Sequence, residues 1–304
     1  MQAARRLLQV KNRLDVPIYA GSNGPIVDPN GANTSTWVLD DQAVKVFDAD
    51  NTTEYESRAS CINSGVRFMR DQLSSGPVTI LMMGPMTDVS CSLYNYPELT
   101  DKVTLLALAG QAAHSPVQLN GKLLRDFNIY LDPVAAAYVI SLDVKLTIFP
   151  WELTSVASKN ETAVKLTKDT LLGNDKKHIS SESLNWILPA IAARNKFWGS
   201  IVDSDFEGPF DNFLPYYVLY PSQFTCQSKY LYVQQCDSGD CAPGAFTTGQ
   251  LFYASTYTGD NLNGTGRFSG TIAATRARKH NVCVKFANES SLHHFNASLV
   301  NNTY

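Results

Sequence analysis

The chain has 304 residues, of which 44% are apolar and 17% charged, a balance that excludes intrinsic disorder and fibrous repeats and leaves room for one or two globular domains. Its 25 basic and 28 acidic residues give a net charge of −3; the basic residues are scattered, which argues against a nucleic-acid or anionic-membrane partner. The best apolar stretch, residues 134–151, contains Asp143 and Lys145, so no segment reads as membrane-spanning.

Leu7, Leu8, Val10 and Leu14 sit at helical spacing and predict a packed N-terminal helix, while Arg5, Arg6, Lys11 and Arg13 break any apolar segment of the kind an export signal needs. A short strand is predicted at 16–19, ended by Gly21, Asn23, Gly24 and Pro25, with a long polar loop after it. Residues 57–73 carry Cys61, Ile62, Val66, Met69 and Leu73 among polar positions, an amphipathic helix stopped by Gly76 and Pro77. An apolar run at 78–83 then reads as a strand, a helix capped by Thr87 follows, and residues 103–109 form a second apolar strand.

The alternation continues with a strand at 126–129, a helix from Pro133 capped by Asp132, and a strand at 144–149. Helices are predicted at 181–197, bent by Pro189, and at 213–220. From Tyr230 the aromatic, Thr-rich and Gly-rich texture suggests antiparallel strands out to a strand at 281–286, and a helix at 290–300 closes the chain. Continuous apolar strands alternating with helices mean parallel strands covered on both faces. The expected class is therefore α/β, a Rossmann-like, mixed but mainly parallel sheet flanked by helices, with antiparallel additions in the C-terminal third, built as a single domain over 1–304.

Six cysteines are an even number: Cys236 with Cys241 can close a short loop, and Cys226 with Cys283 can form a second bridge, although six free thiols fit the sequence as well. Seven glycosylation sequons begin at Asn33, Asn51, Asn160, Asn263, Asn288, Asn296 and Asn301. With the cysteines they point to a secreted or secretory-lumen protein. His114, His178, His280, His293 and His294 lie in polar or terminal segments and read as surface residues.

Ligands of parallel α/β sheets bind beyond the carboxyl ends of the strands, which directs attention to the polar residues after the apolar runs. These are Met83 to Asp88, the stretch from Asn120 to Asn128, and Phe210, Asp211 and Asn212. By itself a Gly-Pro turn is a turn, and an Asp before a helix is a cap.

The segment Gly84-Pro85-Met86-Thr87-Asp88 with Tyr96-Pro97-Glu98, and above all Asp126-Phe127-Asn128-Ile129 followed by Asp132-Pro133, resembles the inosine-uridine preferring nucleoside hydrolases. Residues 144–154, the segment from Phe210 to Pro221 and the strand from Asn281 are similar to that family in the same order. The resemblance implies a ribonucleoside hydrolase that cleaves the N-glycosidic bond, with a small-molecule nucleoside as partner, room for a homo-oligomer, and one calcium ion over the ribose. Carried over position by position, it implies metal contacts from the Met83 carbonyl and the Asp211 carboxylate, and ribose contacts from Asn120, Asp126 and Asn128. Hard oxygens suit calcium. Phe210 stands where many members have a histidine, and a phenyl ring can stack on a base but cannot protonate it.

The family's Asp-x-Asp-x-x-x-Asp-Asp motif, which supplies most metal carboxylates and the general base, has no counterpart here; Asp40-Asp41 reads as a solvated pair. No catalytic base is therefore assigned, and the domain is expected to lack its first strand-helix unit and to be inactive in this form. The second expectation, from another class, is a secreted non-catalytic module that binds nucleosides or sugars through the same fold.

Overall fold

The computed structural model describes residues 4–5, 8–9, 11–22, 24–26, 61–112, 118–119, 122–123, 126–154, 210–235, 249–255 and 278–301. The predicted helix at 181–197, the pairs Asp40-Asp41 and Cys236/Cys241, and Asn120 lie outside them. In chain order the main elements are α1 (Ser64–Ser75), β1 (Val78–Met82), α2 (Thr87–Asn95), β2 (Val103–Leu108), β3 (Gln111–Ala112), β4 (Gln118–Leu119) and β5 (Lys122–Leu123). There follow α3 (Phe127–Tyr130), α4 (Pro133–Ser141), β6 (Lys145–Phe149), α5 (Phe213–Leu219), β7 (Phe224–Gln235), β8 (Gly249–Ala254), β9 (Arg278–Phe286) and α6 (Glu289–Asn301).

Local chemistry sets most of these boundaries. Asn63 caps α1, its Oδ1 accepting the Val66 N–H at 2.8 Å, and Pro77 forces the preceding residue out of the helix. Asp132 caps α4 by accepting the Ala135 N–H at 3.0 Å, with Pro133 in the first helical position. Because Val134, Ala135, Ala136, Ala137, Val139 and Ile140 are all buried, α4 is apolar around its circumference and is enclosed rather than laid on the surface.

Seven strands form one sheet in the order β1-β2-β6-β9-β7-β8-β3. β1, β2, β6 and β9 pair in parallel, β7 runs antiparallel between β9 and β8, and β3 is parallel to β8. Only β7 therefore opposes the common direction, and the carboxyl ends of the other six strands share one edge. The sheet has two differently built faces. Leu105, Ala107, Leu146 and Ile148 pack toward α2 and α4. Leu106, Phe149 and Phe286 pack toward α5 and α6. The mainly parallel sheet with an antiparallel C-terminal part agrees with the class expected from the sequence.

Several local expectations are corrected. Residues 16–19 form no ladder among the described residues; Val16 is 38% exposed, and Tyr19 stacks instead on Phe68 with ring centroids 4.3 Å apart. The N-terminal helical turn ends before residue 11, Asn12 adopts φ 51°, and Leu14 is exposed rather than packed. Helix α1 begins at Ser64, where Asn63 caps it, and Cys61 precedes the helix and bridges Cys91. Thr87 is the first residue of α2 and not its cap; its hydroxyl donates to Asp132 at 2.7 Å. Residues 127–130 are helical instead of extended, since the Asp126 Oδ1 gathers the Asn128 and Ile129 N–H groups. His280 is buried, with Nε2 2.8 Å from the Ile140 carbonyl, and burial lowers its pKa, so it is a neutral core residue and not a surface one.

Candidate functional site

The carboxyl end of β2 is where the chain leaves the sheet. Gly110 follows with φ +85°, a conformation that favours glycine, and a Cβ there would also press on the Ile148 Cδ1 and the Leu251 Cδ2 at 3.3 Å. Its N–H donates to the Asp126 Oδ2 at 2.5 Å, and its carbonyl accepts the Trp151 N–H at 2.9 Å. One residue later the chain joins β8 as β3, with Gln111 opposite Phe252 and Ala112 opposite Tyr253. Glu152, at the carboxyl end of β6, accepts the Ala112 N–H through Oε1 at 2.5 Å.

Asp126 and Asn128 are thus brought together at this bend. The Asn128 Nδ2 donates to the last carbonyl of β2, that of Leu108, at 3.0 Å. Asp126 takes N–H groups from Gly110, Asn128 and, at 3.4 Å, Ile129. Burial pushes its carboxyl up to about 6, against the pull of those three donors. A carboxyl poised there exchanges its proton near neutral pH, and as an anion it can accept from a diol or face a developing cation.

A second polar group gathers after β1. The Asp88 Oδ1 accepts from the Ser22 N–H at 2.9 Å, the Ser22 hydroxyl at 2.8 Å and the Asn63 Nδ2 at 2.8 Å. A Cβ on Gly21 would collide with the same carboxylate, so the segment at 20–22 lies against it. Asp132 is fully buried and takes the Ile26 N–H at 2.9 Å in addition to Ala135 and Thr87. Burial raises its pKa, and the three hydrogen bonds hold the rise in check. These residues fasten the N-terminal segment to the starts of α1, α2 and α4.

Met83 lies one residue beyond β1 and is 42% exposed. Asp211 is exposed in the 3₁₀ turn Phe210–Asn212, just before α5. Phe213 stands 5.8 Å from Phe286, and Tyr217 5.1 Å from Phe149, at the carboxyl ends of β9 and β6. Asp211 therefore belongs to the same edge of the sheet as Asp126. Of Phe210 only the backbone is described. Among the described residues no group of three His, Cys, Asp or Glu side chains is placed to hold a metal. The Met83 carbonyl and the Asp211 carboxylate are two oxygens where calcium takes about six to eight.

Gly110 and Glu152 at the bend, and Ser22 beside Asp88 in the second group, are not marked by the sequence. A glycine ending an apolar strand was the one available signal for Gly110; the partners of Glu152 and Ser22 are set by tertiary contacts that no spacing encodes.

The sequence profile of the family described as inosine-uridine preferring nucleoside hydrolase matches residues 1–292. An uncharacterized protein of Schizosaccharomyces pombe is 30% identical over 155 residues, covering 50% of this chain and 47% of its own length. The pyrimidine-specific ribonucleoside hydrolase RihA of Escherichia coli is 27% identical over 203 residues, covering 64% of this chain and 60% of its own length. The chain thus spans about half to three fifths of the length of these curated relatives. In fold it is similar to a plant nucleoside hydrolase, with a TM-score of 0.63 and 16% identity over 98% of this chain and 85% of the other. A purine-preferring ribonucleoside hydrolase from Gardnerella vaginalis gives a TM-score of 0.64 and 17% identity over 99% of this chain and 84% of the other.

Proposed function

Because the chain belongs to the inosine-uridine preferring nucleoside hydrolase family, we propose that it takes a ribonucleoside at the carboxyl edge of its sheet and that the complete protein hydrolyses the N-glycosidic bond. The observation that carries this reading is the anchoring of Asp126 and Asn128 at the Gly110 bend, within a family match that runs through them. In this reading Asp126 and Asn128, with Asn120, hold the ribose diol, and Phe210 stacks on the base. The Asp126 carboxylate stabilises the positive charge that grows on the ribose as the bond to the base breaks. A hard cation, calcium by its donor chemistry, draws on the Met83 carbonyl and the Asp211 carboxylate. With two oxygens among the described residues, no step is routed through it.

The test is release of free base from inosine and uridine by the complete protein, followed by chromatography, with calcium supplied. Base release is expected, with Asp126→Asn lowering kcat/KM about 100-fold, as removal of one preorganised electrostatic contact does. Nucleoside binding by calorimetry without base release would assign the chain to the non-catalytic binding class. The absence of both nucleoside binding and base release would overturn the proposal.

A further inference from the structure

Asn288 begins the sequon Asn288-Glu289-Ser290 and lies at the start of α6. All three residues are exposed. The side chain of Asn288 is used asymmetrically: its Oδ1 accepts the Ser291 N–H at 2.9 Å and the Ser291 hydroxyl at 3.1 Å. Among the described residues nothing accepts from its Nδ2. The atom that caps the helix is therefore not the atom that an N-linked sugar uses, and a glycan on Nδ2 leaves the cap in place.

A second, independent observation concerns redox chemistry. All four described cysteines are bridged, Cys61 to Cys91 and Cys226 to Cys283. The second bridge joins directly opposed residues of β7 and β9, so it belongs to the sheet itself. Structural disulfides of this kind form and persist in an oxidising compartment, which is also where sequons are modified.

We propose that the protein matures in the secretory route and carries an N-linked oligosaccharide on Asn288. In the transfer, the bond between C1 of the oligosaccharide and its lipid-pyrophosphate carrier breaks, and C1 bonds to the Asn288 Nδ2. One amide proton is lost and the lipid pyrophosphate departs. Asn288 lies two residues beyond the carboxyl end of β9, so the glycan stands on the same side of the sheet as the Gly110 bend. It adds a bulky hydrophilic group to that rim without occupying any side chain assigned to the nucleoside.

The full-length protein is isolated from its native cells or medium and treated with peptide N-glycosidase in heavy-oxygen water, and the peptide containing residue 288 is read by mass spectrometry. The expected result is conversion of Asn288 to labelled Asp. Ser290→Ala should abolish the label at 288 and leave the other sequon peptides as they were. Asn288→Asp should also abolish it while keeping the melting temperature, because an Asp oxygen still caps α6, whereas Asn288→Gln loses label and cap together. Recovery of residue 288 as unmodified Asn in the isolated protein would overturn the proposal, whatever the other sequons carry.

Discussion

The two faces of the sheet are stabilised by different physics. On the side of α1, α2 and α4 the core is aliphatic, and its rim is fastened by carboxylates: the buried Asp132 takes three donors from three separate segments, and the half-buried Asp88 takes three more. On the side of α5 and α6 the packing is aromatic. Phe213 lies 4.5 Å from Phe295, 5.8 Å from Phe286 and 6.2 Å from Phe224, and the Tyr216 hydroxyl meets the His294 Nδ1 at 2.6 Å. Aromatic burial is set by area and contact and is indifferent to pH, whereas a buried carboxylate must keep its donors to justify its charge. One sheet therefore joins a half fastened by carboxylates to one held mainly by aromatic packing.

The largest effect should come from the aromatic half. Phe213→Ala removes a fully buried ring from the centre of the aromatic cluster, and a cost of about 4 kcal/mol is expected in urea or guanidinium unfolding. A loss under about 1 kcal/mol would show that this half is loosely packed. Next comes Asp132→Ala, which leaves the Ile26, Thr87 and Ala135 donors without their acceptor and should cost about 3 kcal/mol. Thr87→Val, which removes one of the three bonds, should cost about 1 kcal/mol. If Asp132→Ala proves no worse than Thr87→Val, the carboxylate is not what joins the three segments.

The subtlest effect is the dependence on pH. The folded-state carboxyl of Asp126 titrates at about 6, above the unfolded value of about 3.9. The folded state thus binds this proton more tightly, so its contribution to stability is full below the unfolded value and is lost as pH rises through about 6. Asp132, also raised, acts in the same direction. Asp126→Asn, which imitates the protonated form, should flatten the change in melting temperature between pH 4 and pH 7. An unchanged slope would place the titration elsewhere, whereas Phe213→Ala should lower the whole curve and leave its shape intact.

The parallel part of the fold was legible because its signals are local. Apolar runs at 78–83 and 103–109, the Asp132-Pro133 start and the stop at Gly76-Pro77 each report on a few neighbouring residues. Where tertiary partners decide, the reading failed: residues 126–129 look like a strand until the Asp126 side chain is seen to gather the next N–H groups, and 16–19 look like a strand until Tyr19 is seen on Phe68. The cysteines divide in the same way. Cys226 and Cys283 are a plausible pair in the sequence and are bonded, whereas Cys61 is hidden inside the helix predicted at 57–73, whose described part starts only at Ser64. Of the site, Asp126 and Asn128 were marked by their motif, but the bend they brace was not, because Gly110 meets Ile148 and Leu251 only after the sheet has formed.

That bend also ties together parts of the chain that are far apart in sequence. Gln111 pairs with Phe252, and Thr147 pairs with Asn281, so closing the sheet joins segments well over a hundred residues apart. Each such closure must meet its loop entropy before any pairing energy is returned. Folding should accordingly wait until the last third of the chain is available. Backbone amides of β3 and of the carboxyl end of β6 should then exchange with solvent only when that last third detaches, which makes the Gly110 region a reporter of unfolding events that begin at β8 and β9.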